Sequence, residues 1–172
     1  MKANLKRLTT TLALLLFVSL ATFAQRIAIV DVNKIMESIE EYQNAQTQLD
    51  NLAAQWRQEI AQEYDVIKGM YNKYQAEQVL LSDEARRQRE DEIMNKEKEV
   101  RDLQKDRFGP EGELFKRRQG LVRPIQDRVY AAIESYAQER GYDFIFDKSS
   151  AGGLIFSNSE YDKTTEVLNK LK

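Results

Sequence analysis

From Ile35 to Leu81 the chain steps by four and three: Ile35, Ile39, Tyr42, Gln46, Leu49, Ala53, Trp56, Ile60, Glu63, Ile67, Met70, Tyr74, Glu77, Leu81. Eleven of these 14 positions are apolar, which is the repeat of a helix that packs along one seam against another helix. Drawn as one helix, the segment from Lys34 to Gln78 would span ~67 Å at 1.5 Å per residue. A domain built from a chain of this length has no interior that long. The rod has to project.

Before the rod, "RIAIVDV" (Arg26 to Val32) is apolar on both alternating faces, the pattern of a strand buried on two sides. Ile27 and Ile29 share one face, and Ala28, Val30 and Val32 the other. Asn33 is placed to cap the helix that follows. After the rod, "VLLSDEAR" (Val79 to Arg86) is expected to turn the chain, with Ser82 as the cap of a returning helix. From Asp83 to Arg107, 17 of 25 residues are charged. A helix so polar is stable only alongside another, so an antiparallel hairpin is expected. The alternative is one continuous helix or a parallel dimeric coiled coil, which would want its apolar heptads to continue past residue 82.

The stretch "KDRFGPEGELFKRRQGLVRPI" (Lys105 to Ile125) holds both prolines of the chain, Pro110 and Pro124, and three of its seven glycines, Gly109, Gly112 and Gly120. Proline removes a helical hydrogen bond and glycine costs ~1 kcal/mol against alanine. A joint is therefore expected over residues 109–124, interrupting the rod, with a surface loop between two unrelated helices as the plainer alternative. Gly69 should weaken the rod midway.

Beyond the joint, Leu121, Ile125, Val129, Ala132, Ile133 and Tyr136 restore helical spacing, and Gly141 is placed as a C-cap. "YDFIFD" alternates, with Tyr142, Phe144 and Phe146 on one face, and "LIFS" (Leu154 to Ser157) is expected to return as the second arm of a β-hairpin. Asp162 can cap a final short helix. Three short strands with aromatic faces and open edges make a poor monomer. Self-association through Ile27, Ile29, Val30, Tyr142, Phe144, Phe146 and Ile155 would cover them.

Residues 1–24 read as a cleaved leader: Lys2, Lys6 and Arg7 precede the apolar run Leu12 to Ala21, and Thr22 and Ala24 are the small residues a signal peptidase requires. The run is about half of a membrane span, and a retained anchor is the alternative. Without the leader, 23 cations face 28 acids, a net charge of −5. That sign argues against nucleic acid or an anionic membrane as the main partner. The chain has no cysteine and no histidine, which excludes disulfides, thiol chemistry and the commonest general base and metal ligand. "FGPEGE" lacks the lysine and Ser/Thr of a phosphate-binding loop. The carboxylates lie on charged helical faces, so no enzyme activity, metal or cofactor is expected.

Taken with "RIAIVDVNKI", "LVRPIQDRVYAAIESYAQERGYDFIFD" and the closing "YDKTTEVLNKLK", this order of elements resembles the Skp/OmpH family of periplasmic chaperones across the whole mature chain. The fold class expected is α+β, mostly α, with a long antiparallel helical hairpin projecting from a small β-containing body. The leader would occupy residues 1–24, a body strand 25–33, the arm 34–120, and a body helix, β-hairpin and C-terminal helix 121–172. The resemblance implies a homotrimer whose three arms surround a cavity, and ATP-independent binding there of unfolded outer-membrane β-barrel proteins. Family members are often strongly basic, which is linked to lipopolysaccharide contact. The acidic charge here departs from that pattern, and no such site is carried over.

A surface that holds unfolded chains needs many weak, adaptable contacts. Leu52, Tyr64, Val66, Met70, Tyr71, Tyr74 and Leu80 extend beyond or flank the heptad seam and could face such a cavity, with tyrosine supplying contact area and methionine adaptability. Equally, they could widen the contact with the returning helix. A reading from another class is a structural adaptor of the cell envelope that recognises one folded partner.

Overall fold

A computed structural model describes residues 25–150, 152 and 154–171 of the protein. The leader expected over residues 1–24 lies outside the described residues. In chain order come β1 (Ile27–Val30), α1 (Val32–Glu37), α2 (Glu40–Glu77), α3 (Asp83–Phe108), α4 (Glu113–Arg140), β2 (Phe144–Asp147), a 3-10 turn (Ser159–Tyr161) and α5 (Thr164–Lys170). The protein is mostly helical, with a small sheet and helices far longer than its body.

The rod begins later than the heptads suggest. Asp31, not Asn33, caps α1, its Oδ1 accepting the Lys34 N–H at 2.9 Å. The chain then breaks at Ser38 and Ile39, the latter extended at φ −93° and ψ 121°. The break lets Ile35, Met36 and Ile39 enter the body core with Val30, Val122, Ile125, Val129 and Val167. The rod itself is α2, 38 residues or ~57 Å.

Along α2 the seam residues Leu49, Ala53, Trp56, Ile60 and Ile67 are buried. Its first half packs on α4 through Leu49, and its second half on α3, where Ile60, Ile67 and Val100 form a separate small core. Only Ile93 and Val100 of α3 are buried, so polar contacts complete the seam. Glu63, a charged heptad position, meets Lys96 Nζ at 2.7 Å. Between the two helices the chain turns over residues 78–82, where Ser82 Oγ accepts the Ala85 N–H at 3.3 Å.

The break at the other end of α3 is short. Residues 109–112 alone separate α3 from α4. Gly109 and Gly112 have ordinary negative φ of −63° and −69°; close approach, not handedness, requires them. A Cβ on Gly109 would lie 2.4 Å from the Lys105 carbonyl oxygen, and one on Gly112 2.9 Å from that of Asp106. Gly120 and Pro124, expected to extend the joint, instead lie inside α4. The physical reason is burial. Proline costs ~3 kcal/mol in a helix interior, whereas Val122, Ile125, Val129 and Tyr136 on the same helix are all buried, each worth about 1.5–3 kcal/mol. Gly69 likewise leaves α2 unbroken.

The sheet also departs from expectation. It holds two strands, β1 and β2, parallel and in register from Ile27 opposite Phe144 to Val30 opposite Asp147. Parallel neighbours need a crossover, and here the crossover is the entire arm. The hairpin partner expected at Leu154 to Ser157 forms no strand, and Ile155 is 99% exposed. At the end of β2 the Asp147 carboxylate accepts from the Ser149 N–H and O–H, at 2.9 and 2.7 Å, and from the Val32 N–H at 3.2 Å. This curls the chain around the strand end and away from the open edge of β2. The far side of β1 is met by the Lys163 N–H, 2.8 Å from the Ile29 carbonyl.

Asp162 ties these ends together. Its carboxylate accepts from Lys148 Nζ at 2.7 Å and from the Thr164 N–H and O–H, while Thr164 Oγ1 accepts the Asp31 N–H at 2.9 Å. Partial burial alone would raise the Asp162 pKa, but the Lys148 ammonium and Thr164 outweigh it and draw it down to about 2. A folded-state pKa below the unfolded value of ~3.9 stabilises the fold above that pH, and the contribution is lost as pH falls towards 2. Asp162→Asn should therefore flatten the decline in thermal midpoint between about pH 4 and pH 2. An unaltered pH profile in the variant would contradict this role.

Candidate functional site

Among the described residues, exposed apolar side chains gather in one surface on the arm and another on the body. On the arm, Tyr64 and Tyr71 stand seven residues apart on α2 and follow the heptad row by one position. Their hydroxyls donate across the hairpin to Gln104 Oε1 at 3.4 Å and Glu97 Oε1 at 2.9 Å, and the Tyr74 hydroxyl donates to Glu90. Residues 90, 97 and 104 are themselves seven apart on α3, so a row of phenols meets a row of acceptors. The Glu97 hydrogen bond raises the Tyr71 pKa and that of Glu90 raises the Tyr74 pKa, because a phenolate would face a carboxylate.

The hydroxyls join the two helices, while Tyr64 and Tyr71 remain 46% and 41% exposed. Val66 is half exposed, Leu52, Met70 and Tyr74 are partly buried, and Leu80 is 84% exposed at the turn. Met70 and Tyr74 border a recess of about 50 Å³, too small for anything but solvent or a single side chain. Val79 beside Leu80 and Met94 on α3 are also exposed. Sequence reading passed over both, although Val79 adjoins Leu80 in the turn and Met94 stands out on an otherwise charged helix.

On the body, strand pairing places Ile27, Phe144 and Phe146 on one face of the sheet. The two phenylalanine rings stack with centroids 6.3 Å apart, and each is about half exposed. Ile155 and Phe156 stand out beyond the end of β2. Ile29, opposite Phe146, lies on this same face but is buried, and two other residues assigned to the surface belong to the interior of the chain. Val30 is buried in the body core. Tyr142, before β2 begins, turns inward to stack on Tyr136 at 5.9 Å, with the Arg26 guanidinium 5.0 Å from its ring. Phe156, next to Ile155, is exposed too, and its place in the consecutive apolar run Leu154, Ile155, Phe156 was the available signal.

Among the described residues no group of three His, Cys, Asp or Glu side chains is placed to hold a metal ion. No helix among them is long and apolar enough to cross a membrane. The chemistry on offer is contact area: aromatic and aliphatic surface on a slender arm, and a second apolar face on the body.

Comparison with known proteins agrees with this architecture. The family described as "Outer membrane protein (OmpH-like)" matches residues 26–171. The chain is 26% identical over 167 residues to the "Chaperone protein Skp" of Yersinia enterocolitica, covering 94% of this chain and 95% of the relative. Its fold is similar to a crystal structure assigned as an OmpH-like outer membrane chaperone from Caulobacter crescentus CB15, with a TM-score of 0.67 at 14% identity, over 86% of this chain and 84% of that one. The protein thus belongs to the Skp/OmpH family of chaperones.

Proposed function

We propose that this protein is an ATP-independent holdase of the periplasm. Three copies would join through their bodies, and the arms would hold unfolded outer-membrane proteins in the space between them. The observation that carries the reading is the pairing of two uncovered apolar surfaces of different kinds. The Phe144–Phe146 face is compact, ordered and on a rigid sheet, as a permanent contact between copies requires. The arm surface of Tyr64, Val66, Tyr71, Val79 and Leu80 is dispersed along ~24 Å of the far half of α2 and its turn. Apolar burial yields only ~25 cal/mol per Å², so each arm residue would contribute little, and affinity would come from several arms engaging one chain at once.

The test is an aggregation assay. The protein at roughly one assembly per client should keep a urea-diluted outer-membrane barrel soluble, and Tyr64→Ser, Val66→Ser, Tyr71→Ser and Leu80→Ser together should weaken that protection about tenfold. Aggregation unaffected by the wild-type protein would reject the holdase and favour an envelope adaptor with one folded partner.

A further inference from the structure

The expected joint is a simple weakness in the rod, yet the residues around it are tied down more closely than anything else on the arm. Arg107, in the last turn of α3, reaches in three directions. Its guanidinium lies over the Trp56 indole, 4.6 Å from the ring centroid. Nη2 stands 3.8 Å from Glu59 Oε2 on α2, and Nη1 pairs with Oε2 of Glu113, the first residue of α4. Phe108 meets Trp56 edge-to-face at 6.1 Å, and the Arg57 guanidinium lies 5.9 Å from the Phe108 ring. The side chain of Arg107 is only 26% exposed. Its Nε is buried with no hydrogen-bond acceptor.

We infer that Arg107 is a positioning residue: a latch that fixes the angle between the arm and the body and so sets the width available between arms. Arg107 touches all three helices that converge here, α2 through Trp56 and Glu59, α3 through its own backbone, and α4 through Glu113. Residues 109–112 join α3 and α4 through one short turn, and Arg107 adds the side-chain ties that cross it. The tight packing of Gly109 and Gly112 against the last turn of α3 brings Arg107 and Glu113 within reach of each other. The buried Nε is the cost of the arrangement. An arginine used only for packing would keep that donor in water, whereas here it is given up to hold the guanidinium against an aromatic face. Glu113 is shared with Arg117 at 4.0 Å, so the carboxylate has a second cation to turn to when the latch opens.

The latch stands on this geometry alone, while its consequence for client size rests on the holdase reading. Hydrogen exchange on the full chain tests the first part. Arg107→Ala and Glu113→Gln should each speed exchange of residues 105–116 about tenfold while residues 128–138 keep their protection. Glu113→Gln preserves shape and packing, so it decides the matter if Arg107→Ala loosens the whole chain. A change confined to 105–116 in Glu113→Gln supports the latch, and an unchanged or uniform profile overturns it. Client affinity tests the second part. Arms freed from the latch should bind a small barrel protein about threefold more weakly and a large one no more weakly than wild type; a mere loss of stability would weaken both alike, and that outcome overturns the positioning role. Failure of the wild type to retain either client would remove the holdase and leave the exchange result to judge the latch.

Discussion

Replacing Phe144 and Phe146 together by threonine is expected to turn the proposed assembly into single chains that remain folded. Each ring is about half exposed on the free chain, which leaves roughly 100 Å² per phenylalanine for a partner. At ~25 cal/mol per Å² the two rings supply about 5 kcal/mol per copy, enough to weaken association by roughly 10³ to 10⁴. Threonine keeps the β propensity of the strand, and neither ring belongs to the body core around Ile35 and Val129. Light scattering should show the mass falling to that of one chain while circular dichroism is unchanged. A double variant that keeps the wild-type mass would mean that this face is not the contact between copies. Holdase activity should fall with the assembly, since a lone arm encloses nothing.

Trp56→Ala is expected to have the largest effect on stability of any single change on the arm. Trp56 is buried on α2 where α3 ends, against Phe108 at its edge and Arg107 over its face. Truncating a buried tryptophan costs about 3–5 kcal/mol, a fall in thermal midpoint of about 10 °C for a chain of this size. The change also removes the aromatic seat of Arg107, so residues 105–116 should lose protection first. By contrast, Tyr71→Phe removes one exposed hydroxyl and should leave the midpoint within a degree or two of wild type. A midpoint for Trp56→Ala as close to wild type as that of Tyr71→Phe would show that the root of the arm is not held by this cluster.

The long-range plan of the molecule is legible because periodicity reports on which neighbour a helix will have. The four-three series names the seam of α2, and its buried members are those of the structure from Leu49 to Ile67. The signals that mislead are local ones overruled by packing. Pro124 reads as a helix breaker, but four buried side chains on α4 hold the helix through it. Asn33 reads as a cap, but Asp31, two residues earlier, takes the role and frees Val32 and Ile35 for the core. Leu154 to Ser157 has the composition of a strand, yet strand pairing is non-local and Asp147 turns the chain elsewhere.

The candidate surfaces are legible to different degrees for the same reason. Phe144 and Phe146 alternate with core residues, and alternation alone places them on one face. Tyr142 has the same alternation but precedes the strand, where Tyr136 and Arg26 capture it. The arm tyrosines carry two roles in one side chain, and only the partners Gln104, Glu97 and Glu90 reveal that the hydroxyl serves the hairpin while the ring stays free. Arg107 escaped notice because it is one of eight cations on a helix charged throughout; nothing in its spacing separates it from its neighbours.

Small-angle scattering with mass determination on the protein without residues 1–24 in dilute buffer tests the central claim most directly. Arms of ~57 Å carried on a shared body predict the mass of three chains and a largest dimension well beyond that of a sphere of equal mass, with scattering typical of a hollow particle. A compact profile at the mass of one chain would contradict the account.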